Sequence, residues 1–199
     1  MEDDNGSPLA DDHRMSATLE QRRIYSPVQK DAAIFLETTE ESGGRRTLVE
    51  VELAPGGGNQ PHKHLRFSER FVCVEGELTV RVDGLLHVLH PGDEAMAEAG
   101  AVHNFANETD EVVRFNVELA PGHRGFEQML QIGYGLAEDG LTNDKGLPKS
   151  LVSTAMLMDM SETRVVSPIR ALVPLLKVLA RVGRRRGADA ALVERYVRF

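Results

Sequence analysis

"PHKHLRFSERF", residues 61–71, places His62 and His64 two apart and Glu69 five residues further on. Side chains two apart on a strand leave the same face, so both imidazoles can converge on one point, and a carboxylate from the next strand can join them. His103, in "GAVHNFAN" beyond the next hairpin, is a fourth member of such a set. Neutral imidazoles with one carboxylate suit a borderline divalent transition metal (Fe, Mn, Ni, Cu or Zn) and leave positions open for water, oxygen or substrate. A histidine in a strand is more often a satisfied surface or core residue than a ligand, and His13, His87, His90 and His123 are read that way. H-x-H alone is a short pattern.

The flanking sequence alternates. "TLVEVEL" (47–53) puts Val49, Val51 and Leu53 on one face, "RFVCVEGELTVRVDG" (70–84) reads as two strands about Gly76, "LLHVLHPGDEAM" (85–96) runs into a Pro-Gly turn, and "EVVRFNVEL" (111–119) alternates again. Short strands with turn signals at this spacing predict an antiparallel sandwich or barrel from about Tyr25 to Leu119. "VELAPG" occurs at 51–56 and 117–122, read as two similar strand ends at one rim. Beyond Pro121 the apolar spacing becomes helical in 125–137, 148–160 and 167–183. The last segment has Ser167 as N-cap, Pro168 at the first helical position, a kink at Pro174 and a stop at Gly183.

Composition bounds the rest. At 199 residues, 41% hydrophobic and 27% charged, the chain suits one globular domain with an appendage. Its single cysteine, Cys73, excludes an internal disulfide and a cysteine-based zinc cluster, and is read as a buried small hydrophobe. No apolar run approaches the roughly 20 residues of a membrane span. Residues 1–18 are acidic and aperiodic, read as a disordered leader with Met15 as an alternative start, and the expected compartment is the cytoplasm. A net charge of −8 argues against nucleic acid as main partner.

From Gly56 the spacing reads Gly56-x5-His62-x-His64-x4-Glu69-x6-Gly76, and from Gly92 it reads Gly92-x5-Glu98-x-Gly100-x2-His103-x3-Asn107. The two stretches resemble the paired signature motifs of the cupin family over roughly residues 30 to 120. The first matches at every fixed position, and the second has Glu98 where the family usually has proline. The resemblance implies a mainly β fold, an antiparallel jelly-roll β-barrel over residues 19–122; residues 123–199, which carry no motif of the family, are read from their apolar spacing as helices packed outside. It implies His62, His64, Glu69 and His103 as metal ligands, and a homodimer formed through strands near the start of the barrel. Strand parity adds Phe71 and Cys73 inward with Glu69, and Phe105 and Asn107 with His103. Phe71, Phe105 and Asn107 are thus candidate substrate contacts, with plain core the bland reading of both phenylalanines. Glu98 reads as a solvated turn residue.

A metal with an open position and few proton-transfer groups suits a dioxygenase-like oxidoreductase whose small-molecule substrate chelates the metal. A non-catalytic binding barrel is the alternative. So is an isomerase or lyase, which would need a base such as Tyr25 or Tyr134 opposite the metal; fold alone does not choose. The tail is basic: Ser161–Phe199 holds nine Lys/Arg against three Asp/Glu, a net +6, leaving −14 for the first 160 residues within the total of −8. Ile169, Leu172, Val173, Leu176, Leu179 and Val182 form a predicted apolar stripe. That charge split favours docking on the acidic body over an anionic membrane surface or nucleic acid.

Overall fold

Burial alternates strictly along the strands at the centre of the molecule. In β3 (Thr47–Leu53) and β10 (Val113–Ala120), every second side chain is buried, the pattern of a sheet with one face on a core. The structure, a computed structural model, describes residues 19–165 and 173–199. The expected leader, Ser167 and Pro168 therefore lie outside the described residues.

Two antiparallel sheets face each other as a jelly roll. The six-stranded sheet runs β1 (Arg23–Ser26), β2 (Asp31–Glu37), β3, β10, β5 (Ser68–Glu75), β8 (Glu94–Ala97). The five-stranded sheet runs β11 (Thr163–Val165), β4 (His62–His64), β9 (His103–Ala106), β6 (Leu78–Val82), β7 (Leu85–Leu89). Phe35, Phe71, Phe115, Leu53, Leu78 and Val80 are fully buried between them. Gly100 bends the chain at φ +92°, a conformation costly for other residues, and donates its N–H to the His64 carbonyl at 2.6 Å. That bond ties the two motif-bearing loops together.

The repeated "VELAPG" corrects one expectation. β3 and β10 are antiparallel neighbours, with Leu53 opposite Val113 and Thr47 opposite Leu119. The two copies therefore end at opposite ends of the sheet, not at one rim.

Among the described residues four helices follow: α1 (Arg124–Glu138), α2 (Leu151–Met160), α3 (Val173–Arg185) and α4 (Ala188–Tyr196). The His123 side chain caps α1 by accepting from the Phe126 N–H at 3.0 Å. One face of α1 turns Phe126 and Tyr134 into the jelly-roll core, and another turns Ile132 and Leu136 towards α2 and α4. Buried Glu127 pins the helix to the sheet, accepting from the Thr39 N–H and from the Thr39 and Thr47 hydroxyls at 2.6–2.7 Å.

Of the predicted stripe on α3, Leu176 is buried, Leu179 packs beside it and Val173 is half-buried, Val182 is exposed, and Ile169 and Leu172 lie outside the described residues. Leu176, Ala180 and Gly183 face α2, whereas Leu175, Val178 and Val182 are exposed. The small residues Ala180 and Gly183 let the helices approach closely, and the helix continues past Gly183 to Arg185. Pro174 is the second residue of α3 as described. The tail's arginines pair with acids earlier in the chain as well as within the tail: Arg184 meets Asp159 and Asp189, and Arg195 meets Asp139. The tail also supplies β11, a strand that no periodicity announced. No helix among the described residues is long and apolar enough to cross a membrane.

Truncation after Glu162 removes β11, α3 and α4 and uncovers Met156, Leu157 and Ile132, which are now 7% exposed or less. The shortened protein is expected to aggregate or to melt well below the full chain in a thermal scan. Equal solubility and melting temperature, with full-length protein sedimenting on anionic vesicles, would instead make the tail a membrane-binding element.

Candidate metal centre

His62, His64, Glu69 and His103 meet between the sheets, each offering a ligand atom, with all of those atoms within 4.8 Å of one another. β4 supplies the two alternate histidines. β9 pairs with it so that His103 lies directly opposite His62. Glu69 enters from the facing sheet, one residue into β5. His64, Glu69 and His103 are buried at 2–4% exposure, and His62 is half-buried.

The hydrogen bonds fix the tautomers. The His62 Nδ1 lies 2.8 Å from the Gln60 carbonyl oxygen, and the His103 Nδ1 lies 3.0 Å from that of Ala101. A carbonyl only accepts, so both Nδ1 atoms carry a hydrogen and each Nε2 faces the centre. The third histidine is held from the tail: the His64 Nδ1 is 3.1 Å from the Thr163 hydroxyl on β11. Phe67 stacks on the His64 ring at a centroid distance of 4.3 Å, and Phe126 meets it edge-on at 5.2 Å.

Burial among aromatic rings pushes the His64 imidazole down to about 3 and that of His62 to about 4, so both are neutral at ordinary pH. Burial alone would push the Glu69 carboxyl up, but the surrounding imidazoles, His64 foremost, hold it down at about 2. His103 is drawn upward by the same carboxylate against its own burial. The result is one buried negative charge ringed by imidazoles. The Nε2 atoms of His64 and His103 are buried without a hydrogen-bond partner, although they stand 3.5 and 2.8 Å from Glu69 oxygens. Orphaned ring nitrogens pointed at a carboxylate are costly in a bare protein and are the donor set a divalent cation requires. The cluster can hold a metal ion.

Two spaces that share lining residues adjoin it. A cavity of about 430 Å³ has His62, His64 and Thr163 in its wall beside Met129, Leu147 and Leu157. An inner pocket of about 60 Å³ is lined by His62, Glu69, Phe71, Phe105, Asp31 and Tyr134. The inner pocket thus brings Phe71 and Phe105 to the metal cluster, as strand parity predicts. Asn107 stands apart. Its amide donates to the Leu53 and Glu111 carbonyls and accepts from the Thr109 N–H and hydroxyl, and it borders neither space. Glu98 is exposed, as a turn residue should be, and Cys73 is buried in the core. Tyr25 is 44% exposed on β1, away from the cluster.

Tyr134 is inside, donating its hydroxyl to Asp31 Oδ2 at 2.7 Å. Asp31 escaped the sequence reading because an acid opening an apolar strand looks like a turn residue. Thr163 escaped because it lies in the short gap between two segments read as helical, too short to show strand alternation. Burial raises the Asp31 carboxyl to about 7 against the pull of Tyr134.

Residues 49–122 match the family model described as "Cupin domain". A stretch of 65 residues is 40% identical to germin-like protein subfamily 1 member 20 of Arabidopsis thaliana, covering 29% of this chain and 29% of that one. A stretch of 70 residues is 30% identical to a mannose-1-phosphate guanylyltransferase of Sinorhizobium fredii, covering 35% of this chain and 14% of that one. The chain thus spans less than a third of these relatives' lengths. Among solved structures, an RmlC-like cupin from Shewanella frigidimarina superposes with a TM-score of 0.46 at 23% identity, covering 54% of this chain and 90% of that one.

Asp31 gives a pH-dependent stability prediction. A carboxyl raised from 3.8 to about 7 binds more protons folded than unfolded, so stability falls as pH climbs through that window. Removing the charge should recover it. Asp31→Asn is expected to raise the melting temperature more at pH 8 than at pH 5, a difference of order 3 kcal/mol, read by thermal melts at both pH values.

Proposed function

We propose that this cupin-domain protein is a metal-dependent enzyme acting on a small molecule, of the dioxygenase-like oxidoreductase kind. A single observation carries the reading: four ligand atoms converge beside a mostly apolar cavity of about 430 Å³ that has His62 and His64 in its wall, a size that suits a small organic ligand. His62, His64, Glu69 and His103 would hold the metal. When bound, a divalent metal supplies Lewis acidity and positions open to two oxygen atoms of a chelating substrate. The chain's own residues do the rest. Met129, Leu147 and Leu157 take up the apolar body of the substrate and exclude water, and Phe71 and Phe105 wall the reacting end. The Gln60 and Ala101 carbonyls and the Thr163 hydroxyl orient the imidazoles, the indirect support that metal-bound histidines usually have.

One observation favours a second reading, a metal-dependent isomerase or lyase. Tyr134 and Asp31 supply inside the pocket the proton-transfer groups that the motif residues lack. Oxygen uptake separates the two. Protein loaded with iron or nickel and offered diketones, catechols, flavonoids or thiols should consume oxygen if the first reading holds. Conversion without oxygen uptake favours the second, and tight metal with no turnover of any kind makes the protein a binding module. We also propose self-association through β1, an edge strand of the six-stranded sheet, to be checked by light scattering.

Metal analysis of protein purified without chelators should find a stoichiometric transition metal. His62→Ala, His64→Ala and His103→Ala are each expected to lose it and to lower the melting temperature, because an ion held only by the folded state adds roughly 3 kcal/mol at a hundredfold excess over Kd. Glu69→Ala should lose less metal or alter which metal is kept. Full metal content in all four variants would refute the site. Thr163→Val, which removes only the hydroxyl on His64, should weaken metal affinity about 10–100-fold while leaving the fold intact.

A further inference from the structure

Two buried carboxylates tie α1 to the jelly roll, and they are not equivalent. Glu127 spends its charge on three hydrogen bonds from Thr39 and Thr47, which is what a purely structural acid does. Asp31 is 1% exposed, yet among the described residues its one side-chain partner is the Tyr134 hydroxyl, on Oδ2, and its Oδ1 is buried with no partner. A helix-docking contact gains nothing from a bare carboxylate oxygen, which a buried site normally satisfies. Asp31 also lines the inner pocket of about 60 Å³ together with His62 and Glu69. That space holds a few water molecules or the reacting end of a ligand, and Tyr134 and His62 border both it and the larger cavity.

We propose that Asp31, aimed by Tyr134, is the proton acceptor for a substrate whose reacting end enters the inner pocket beside His62 and Glu69. The proposal rests on the metal-site reading and deepens it, because it names the substrate class. That class is a small molecule with an acidic O–H or C–H next to a chelating oxygen, such as a β-diketone, a catechol or an α-hydroxy carbonyl. The O–H or C–H bond breaks, its electron pair stays on the substrate as enolate or phenolate, and the proton passes to Oδ1. No further reactant is consumed. Both functional readings need this step, since enolate formation precedes oxygen attack as well as isomerisation.

The environment suits the task. Burial holds the Asp31 carboxyl near 7, matched to a proton taken up and given back near neutrality. The titratable groups that line the inner pocket with it are Tyr134 from α1, His62 from β4 and Glu69 from β5.

Full-length protein loaded with zinc, which is redox-inert, is titrated at pH 8 with acetylacetone, a diketone neutral at that pH. Enolate absorbance reports binding, and phenol red in weak buffer reports protons released. Wild type is expected to bind the enolate while releasing less than one proton per ligand, because the negative charge of the bound enolate lifts the neighbouring Asp31 carboxyl above its resting value near 7 and keeps the proton on it at pH 8. Asp31→Asn should release a full proton and bind at least roughly tenfold more weakly, with unchanged zinc content. Tyr134→Phe, which keeps the acceptor but loses its orienting donor, should fall between the two, an order that a packing role would not produce. Equal proton release in wild type and Asp31→Asn overturns the proposal. So does zinc-loaded wild type that shows no enolate band, which leaves the metal site standing. A wild type that binds no zinc overturns the metal-site reading and this proposal with it.

Discussion

A strand of three residues forms too few hydrogen bonds to hold its own register, and β4 carries two of the four converging side chains on such a strand. It is fixed from both flanks. On one side β9 sets His103 opposite His62, and on the other β11 sets Thr163 opposite His64 and Val165 opposite His62. A slip of one residue would send both imidazoles to the outer face and put Lys63 in the core. The cluster therefore depends on a strand contributed from the C-terminal segment, and the helices α1 and α2 are what carry the chain back to deliver it.

That dependence explains how the helical segment is built. A jelly roll has a mouth, and here α1 and α2 pack on the side where the imidazoles lie, leaving a cavity between helix and sheet. Phe126 and Tyr134 from α1 pack into the jelly-roll core, while Ile132 and Leu136 on the same helix bind the other helices. One helix thus belongs to both layers. The charge asymmetry follows the same geometry, with Arg184 and Arg195 reaching back to Asp159 and Asp139. Exposed pairs of this kind add little energy, typically under about 1 kcal/mol, so apolar packing holds the segment and the charges orient it.

The strands and the four converging residues were legible because their signals are local. Period-two alternation and fixed motif spacing both lie within a few residues of one another. What escaped joins distant parts of the chain: the Thr163 hydroxyl meets a histidine 99 residues away, and Tyr134 meets an aspartate 103 residues away. Each residue alone reads as ordinary, a threonine near a helix end and an acid at the mouth of a strand. The repeated "VELAPG" misled for a related reason. Identical words promise similar local structure but say nothing of strand direction, and antiparallel pairing sends them to opposite ends. Asn107 shows the converse, since its place in the second motif suggested the pocket whereas its amide is fully occupied in closing the 107–111 turn.

Two buried carboxylates that line one small pocket, both carried by the six-stranded sheet, are kept ionisable in different ways. Glu69 is surrounded by imidazoles that hold it charged, whereas Asp31 has one phenol and is held near neutrality. Groups whose environments drive their ionisation apart commonly divide roles in a reacting site, one as fixed charge and one as mobile proton carrier. A fold that needed only stability would have filled the Asp31 position with an apolar residue, as it did at neighbouring Ala32 and Ala33, which are 3% and 1% exposed. An ionised carboxylate at that depth works against folding above pH 7. Under the role proposed for it, its presence beside the His/Glu cluster, rather than the cluster alone, would distinguish a pocket built to move a proton from one built only to hold an ion.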